Sequence, residues 1–433
     1  MKAIQQTFTR SNSFFIVWCM VAAFGAYFCM YAFRKPFNAG TYNGLSLWGL
    51  HYKSILVISQ VLGYMLSKFI GIKIISELKP SSRNRLILLL ILIAEGALLL
   101  FGLVPHPFNF VCLFLNGLPL GMVWGVVFSY LEGRRFTELL AMGLSTSLII
   151  SSGYLKTIYF YVHEWLPAVT EFWMPFVMGL LFLPLFFLFV WMLSVIPAPT
   201  PDDIKSRSPR MPMSDTDKKN VFRDYGIGLV GLVIVYAMLA TLRDFRDNFS
   251  VEIWNEIDPG WNKTVFAKTE TIAGIVVLAA VGLLSTIKSN RNGFGATNIL
   301  IIGGLILSGL STLLFHLHVI NPFWWMLLSG TGLFLAYIPF QVAMFERMIA
   351  LFRIKANAGF FVYICDAIGY LGSVILLLYK EFFMKNLSWS NVLMRFSYMQ
   401  TIVSVVIMVL AIGFFFRQHK NKKMDGSLLT AIQ

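Results

Sequence analysis

Charge is scarce in this chain. Of its 433 residues only 13% are Asp, Glu, Lys or Arg, while 57% are hydrophobic. A soluble globular domain carries about 25% charged residues, so that class is excluded and an all-α integral membrane protein is predicted. Acidic residues are the scarcer kind, 21 against 35 Lys and Arg, for a formal charge of +14. The basic residues fall in short clusters between apolar runs, which is how membrane topology is written, and no nucleic-acid partner is expected. Cysteine is limited to Cys19, Cys29, Cys112 and Cys365, each inside an apolar run and none at metal-ligand spacing. That excludes a disulfide framework and a zinc site and leaves packing roles. No span or loop gathers a nucleophile with a base or a cluster of metal ligands. The glycines of GFGATNILIIGG open a spanning segment and lack the Lys-Ser/Thr ending of a nucleotide loop. No enzyme, cofactor or metal is expected. The first apolar run lacks a small-residue cleavage site and is long enough to span, so it reads as a retained helix.

What the chain has in abundance is apolar runs. At roughly 20 residues per span, helices are predicted at residues 13–33, 54–76, 85–104, 108–131, 138–162 and 172–196. Six more follow at 225–247, 265–287, 297–317, 323–348, 357–380 and 394–416. The Pro- and Ser-rich stretch between the sets reads as a linker. The expected organisation is a six-helix bundle over 1–196, a cytoplasmic linker over 197–224, a second bundle over 225–416 and a basic cytoplasmic tail over 417–433. Lys79, Arg83, Arg85, Arg134, Arg135, the linker, Lys288, Arg291, Arg353, Lys355 and the tail mark one face. Both termini are therefore expected in the cytoplasm of a multi-pass, monomeric protein of a bacterial-style inner membrane, with the lipid bilayer as its surroundings.

Arg34, Lys53, Arg243 and Arg246 break this pattern, since the opposite loops are otherwise almost free of Lys and Arg. Arg34 closes the first span in YFCMYAFRKPF, and two readings stand open. It is an anchor that snorkels to the headgroups, or it faces the bundle interior, where a charge inside a span marks a function. The halves echo one another: Tyr27 precedes Arg34 by seven residues, as Tyr236 precedes Arg243 in YAMLATLRDFRDNF. Two helical turns put each tyrosine on its arginine's face. Internal repeats with a site at their interface are a transporter feature, and a pseudo-two-fold axis would bring the arginines to one depth.

Tyr27, Tyr31 and Arg34 form one polar stripe in the first helix, and Tyr64 and Lys68 a second in GYMLSKFIG. Lys68 has its own open choice between anchoring and function. Together Arg34, Arg243 and Lys68 would make a desolvated cationic cluster suited to a phosphoryl group, which guanidinium forks grip through paired, charge-assisted bonds. The expected partner is a small anionic solute.

With these residues in view, the chain resembles the organophosphate:phosphate antiporters of the major facilitator superfamily. The resemblance lies in Tyr-x-x-x-Tyr-x-x-Arg, carried by Tyr27, Tyr31 and Arg34, and in Tyr-x-x-Ser-Lys-Phe-x-x-Gly, carried by Tyr64, Ser67, Lys68, Phe69 and Gly71. Arg243 matches the family's seventh-helix arginine. Overall architecture covers nearly the whole chain, whereas motif similarity covers helices one, two and seven. The resemblance implies twelve helices in two pseudo-symmetric bundles, the major facilitator fold. It further implies alternating access that exchanges a phosphate ester for inorganic phosphate, the two arginines holding the phosphoryl group.

The chain also departs from that family. The cytoplasmic loop after helix two is degraded to SELKPSSRNR, and helix five, LIISSGYLKTIYFYV, offers Tyr154 and Lys156 where one branch has histidine. Lys156 is read at the site or at the outer mouth. Asp247 can pair with Arg243 one turn away, and Asp244 with either neighbouring arginine. Asp366, in VYICDAIGYLG, is read as a partner of Arg243 or Lys156, a proton relay, or a salt bridge that breaks during transport. Glu95 is read as a packing or proton-linked residue. Gly117, Gly121 and Gly125 allow close helix approach, and Glu132, Arg134 and Arg135 suit a gating latch or a solvated loop. Trp324, Trp325 and Trp389 fit an aromatic belt, and His316 and His318 an interface. Two other functions stay open: proton-coupled transport of another organic solute through Asp366 or Glu95, and a transporter-like sensor of a sugar phosphate.

Overall fold

The computed structural model describes residues 7–8, 10–132, 137–199, 215–352, 354 and 358–431. Among these residues eleven helices are long and apolar enough to cross a membrane. A helix satisfies its own backbone donors and acceptors, so it can cross lipid where an open strand cannot. The first six helices are α1 (Asn12–Ala32), α2 (Tyr52–Ser76), α3 (Arg83–Leu103), α4 (Phe110–Leu131), α5 (Thr137–Trp165) and α6 (Met174–Ser194). Then follow α7 (Asp215–Asn248), a short α8 (Ser250–Ile257), α9 (Val265–Ser285), α10 (Asn290–His316), α11 (Pro322–Pro339), α12 (Phe345–Phe352), α13 (Ala358–Phe383) and α14 (Trp389–Ala431). The twelfth predicted span corresponds to α5, which carries the buried polar residues Ser145, Ser147, Ser151, Ser152 and Lys156.

Helix ends differ from expectation where chemistry rather than hydropathy sets them. α7 begins inside the predicted linker, and α14 continues through the basic tail. Polar residues support a helix as readily as apolar ones, and hydropathy does not register them. α1 starts where Ser11 accepts the Phe14 amide at 3.2 Å and stops at Ala32, with Phe33 as its cap. Pro36 lacks an amide proton and its ring would clash with the Ala32 carbonyl, so the chain turns into a short 3₁₀ segment, Pro36–Ala39. Arg34 therefore lies just past α1, not within it. Trp325 is a second correction. It is fully buried and stacked on Phe315 at 4.3 Å between centroids, a core residue rather than part of a belt, while Trp324 is half exposed.

The chain forms two compact units. The first contains Met1–Ser208, Asp244–Leu278 and Val374–Val392. In it α2 packs along α4 through glycine: a Cβ on Gly117 would strike the Gln60 carbonyl, and one on Gly121 would lie 2.6 Å from Ser67 Cβ and 2.7 Å from the Tyr64 carbonyl. Backbones brought this close fix where Tyr64 projects. The second unit contains Pro209–Arg243, Ala279–Ser373 and Leu393–Gln433. Here α10 and α11 cross in the same way, a Cβ on Gly304 or on Gly332 falling 2.5 Å from the other's carbonyl oxygen. After α11 the backbone widens into a π-helical turn, Phe340–Met344, a distortion often found where a side chain is aimed for function.

Candidate functional site

In the first unit the predicted residues of α1 and α2 converge on Tyr64. Arg34, 6% exposed, lies with its guanidinium carbon 3.9 Å from the Tyr64 ring centroid and 5.9 Å from that of Tyr31. Lys68 Nζ lies 5.6 Å from the same Tyr64 centroid and 5.9 Å from that of Trp124. The rings of Tyr27 and Tyr31 meet edge to face at 5.6 Å, as their one-turn spacing requires. An aromatic face steadies a cation through its quadrupole while leaving the formal charge in place.

Two residues outside the expected set hold this turn. A helix end leaves carbonyls without intrahelical donors, and buried ones must find others. Gln60 Nε2 donates to the Arg34 carbonyl at 2.9 Å and to Asn116 Oδ1 at 2.8 Å. Asn116 Nδ2 donates to the Phe33 and Ala94 carbonyls, each at 3.0 Å. α1, α2, α3 and α4 are thereby pinned at one point, directly beneath Arg34 in the chain. The signal in the sequence was two lone amides inside apolar spans.

The buried lysines Lys35, Lys53 and Lys156 of this unit meet carboxylates. Asp247 receives Lys35 Nζ at 2.6 Å and Lys156 Nζ at 2.7 Å, and it also accepts the Ser152 hydroxyl. Its hydrogen bonds thus come from residues distant in sequence rather than from Arg243. Lys35 Nζ and Asn38 Nδ2 both donate to Asn248 Oδ1 at 2.8 Å. Lys53, one of the exceptions to the charge pattern, donates to Glu252 Oε1 at 2.5 Å and to the Asn38 carbonyl at 2.7 Å. Burial pushes Lys35 below the ordinary lysine range, an effect that Asp247 opposes, and pushes Glu252 above the ordinary carboxylate range, which Lys53 opposes. Glu95 is buried between α3 and α6, where Gly179 leaves room for its carboxyl group. Neither of its oxygens has a hydrogen-bond partner among the described residues. Glu132, beyond the end of α4, lines a small cavity with Arg83, Asn84 and Tyr130. Arg134 and Arg135 lie outside the described residues.

The second unit places Arg243, Tyr236 and Asp366 in one hydrogen-bonded cluster. Arg243 Nη1 donates to the Tyr337 hydroxyl, and its guanidinium carbon lies 4.5 Å from the Tyr337 ring centroid. The Tyr236 and Tyr337 hydroxyl oxygens are 3.0 Å apart, and Tyr236 donates to Asp366 Oδ1 at 2.5 Å. Gln341, in the π-helical turn, donates to Tyr236 at 3.0 Å and to Tyr337 at 2.9 Å. Both phenols are buried, while Arg243, Gln341 and Asp366 keep partial exposure. Tyr337 and Gln341 were not singled out in the sequence; they stand one helical turn apart, in the run AYIPFQ.

A family model described as "Family of unknown function (DUF5690)" matches residues 36–419. No curated protein matches the sequence. A solved structure of the nucleoside transporter NupG is 16% identical with a TM-score of 0.59, covering 93% of this chain and 99% of that one. A bacterial homologue of the human lysosomal transporter Spinster, inward-facing and unoccupied, is 13% identical with a TM-score of 0.58, covering 94% and 97%. A bacterial homologue of the human drug peptide transporters is 10% identical with a TM-score of 0.61, covering 94% and 100%. At these identities the likeness concerns fold, and it is the all-α fold of the major facilitator transporters.

Proposed function

We propose that this chain, which belongs to the DUF5690 family of unknown function, is a secondary transporter that moves a small anionic solute by alternating access. A phosphorylated metabolite exchanged for inorganic phosphate is the species its residues suit best. The fold supports transport rather than catalysis, and the similar structures handle solutes as different as nucleosides and peptides. Choice of solute therefore rests on this chain's own side chains. The observation that carries the reading is that each arginine sets its guanidinium against a tyrosine ring, Arg34 on Tyr64 and Arg243 on Tyr337. Guanidinium groups pair with phosphoryl oxygens two at a time. Lys68, on the ring that also holds Arg34, adds a further positive charge, and Tyr27, Tyr31, Tyr64 and Tyr236 complete the set of expected binding residues. A bound anion offsets arginine charge that would otherwise oppose closure over a dry site, so either exchange partner permits the swing.

The Lys and Arg distribution supports a multi-pass inner-membrane protein with both termini in the cytoplasm, acting as a monomer. On this topology Glu132, Arg134 and Arg135 belong to a cytoplasmic gating loop.

Proteoliposomes loaded with phosphate test the reading. Uptake of labelled phosphate or a sugar phosphate is expected, falling by about 100-fold or more in Arg34→Ala or Arg243→Ala, as lost charge-assisted contacts of about 3 kcal/mol require. Transport of a neutral solute that is unaltered in both variants, with no phosphate flux, overturns it. Saturable binding of a sugar phosphate with no flux would instead identify a sensor.

A further inference from the structure

We propose that Asp366 is a proton-binding residue coupled to the anion site at Arg243 through the phenols of Tyr236 and Tyr337, so that the anion binds together with a proton. This deepens the reading of Arg243 as an anion-binding residue and rests on it.

The coupling follows from hydrogen-bond direction. A phenol has one proton to donate. With Asp366 ionised, Tyr236 gives its proton to the carboxylate at 2.5 Å, and Tyr337 then turns its own proton to the Tyr236 oxygen 3.0 Å away. Arg243 completes the chain by donating to Tyr337. Every hydrogen points towards Asp366, and the negative charge at the end of the chain opposes an arriving anion. When Asp366 takes a proton from solvent, its carboxyl group becomes the donor and Tyr236 the acceptor. The Tyr236 proton turns to Tyr337, and the Tyr337 proton becomes available to a ligand oxygen beside Arg243. The site gains one positive charge and one donor. Gln341 bridges both phenol oxygens at 3.0 and 2.9 Å, which keeps them in register in either state.

The groups that face Asp366 are consistent with such a role. α7 contributes Tyr236, which meets Asp366 directly, Cys365 is its neighbour on α13, and Arg243, Tyr337 and Gln341 reach it through the phenols. Arg243 and Asp366 sit at opposite ends of the relay, both partly exposed, so that solute and proton each have access. Two buried phenols between them carry the signal without charge crossing the gap. Asp366 would also let a monovalent anion replace a divalent one with the site's net charge unchanged.

Sulfate is the probe of choice, because it stays a dianion across neutral pH whereas phosphate titrates there. The full chain in detergent is titrated with sulfate by calorimetry in buffers of different ionisation heat, which counts protons taken up on binding. Wild type is expected to take up as much as one proton per sulfate, its affinity falling as pH rises by up to about tenfold per pH unit. Asp366→Asn is expected to bind sulfate with no proton uptake and no pH dependence, and Tyr236→Phe to retain only a fraction of the wild-type uptake. A melting curve for each variant establishes folding. Sulfate binding in Asp366→Asn with the wild-type proton count overturns the coupling alone. Absence of both sulfate and phosphate binding by wild type at every pH overturns the anion-site reading and the coupling with it.

Discussion

The two arginines share a sequence pattern and occupy unlike settings. Arg34 lies over the face of Tyr64, and its backbone is clamped by the amides of Gln60 and Asn116. Arg243 donates to the hydroxyl of Tyr337 and heads a chain that ends at Asp366. The ring contact is thus common to both units, and in the second the tyrosine hydroxyl also accepts from the arginine. The units also treat their other buried charges differently. The first unit sets lysine against carboxylate, with Lys35 and Lys156 on Asp247 and Lys53 on Glu252. In the second, phenols link Arg243 to Asp366 and an amide bridges the phenols. Ion pairs brace a structure, whereas a phenol chain has two orientations and can respond to a proton.

The sharpest way to break this comparison is to remove the carboxylate of the first unit. Asp247→Asn removes the carboxylate that Lys35 and Lys156, 6% and 1% exposed at their side chains, share at hydrogen-bond distance. Breaking a buried pair from one side costs about 3–5 kcal/mol, so a large fall in melting temperature in detergent is expected. Adding Lys156→Met to Asp247→Asn should recover part of the loss, because one orphaned charge is gone. A double variant no more stable than the single one contradicts the bracing role. Next in size is Asn116→Ala, which strips donors from the Phe33 and Ala94 carbonyls and an acceptor from Gln60. Buried groups left unsatisfied cost about 1–3 kcal/mol each. Reduced stability together with weakened anion binding is expected, and normal binding in a folded variant would show that the clamp does not position Arg34.

How much of this was legible in the sequence follows from range. The spans could be read because length and apolarity are local, and the Tyr-Arg pairs because the helical period fixes which residues share a face. Asp247 illustrates the limit. Its neighbour one turn back is Arg243, yet the lysines on its oxygens come from residues 35 and 156, and no local rule selects partners across helices. Gln60 and Asn116 are polar residues in apolar runs that were not singled out, and which carbonyls they serve depends on α1 ending at Ala32. The start of α7 at Asp215 was hidden because its first turns are charged, and the π-helical turn that aims Gln341 has no composition of its own. The resemblance in helices one, two and seven reached the arginines and Tyr64; it did not reach Tyr337, which belongs to a helix outside those motifs.

The smallest expected effect is also the most discriminating, because one chemical change is made at both sites. Tyr64→Phe keeps a ring under Arg34 and Lys68, and cation–π attraction belongs to the ring. Anion affinity should change less than about threefold, a shift under 1 kcal/mol. Tyr337→Phe keeps its ring too, yet removes the acceptor of Arg243 and Gln341 and separates Tyr236 from Arg243. Sulfate affinity there should fall about tenfold or more, as the loss of a charge-assisted bond of about 1.5–3 kcal/mol implies, and its pH dependence should flatten. Equal effects at the two positions would mean that ring and hydroxyl serve both sites alike, and the contrast between the units would reduce to a difference in packing.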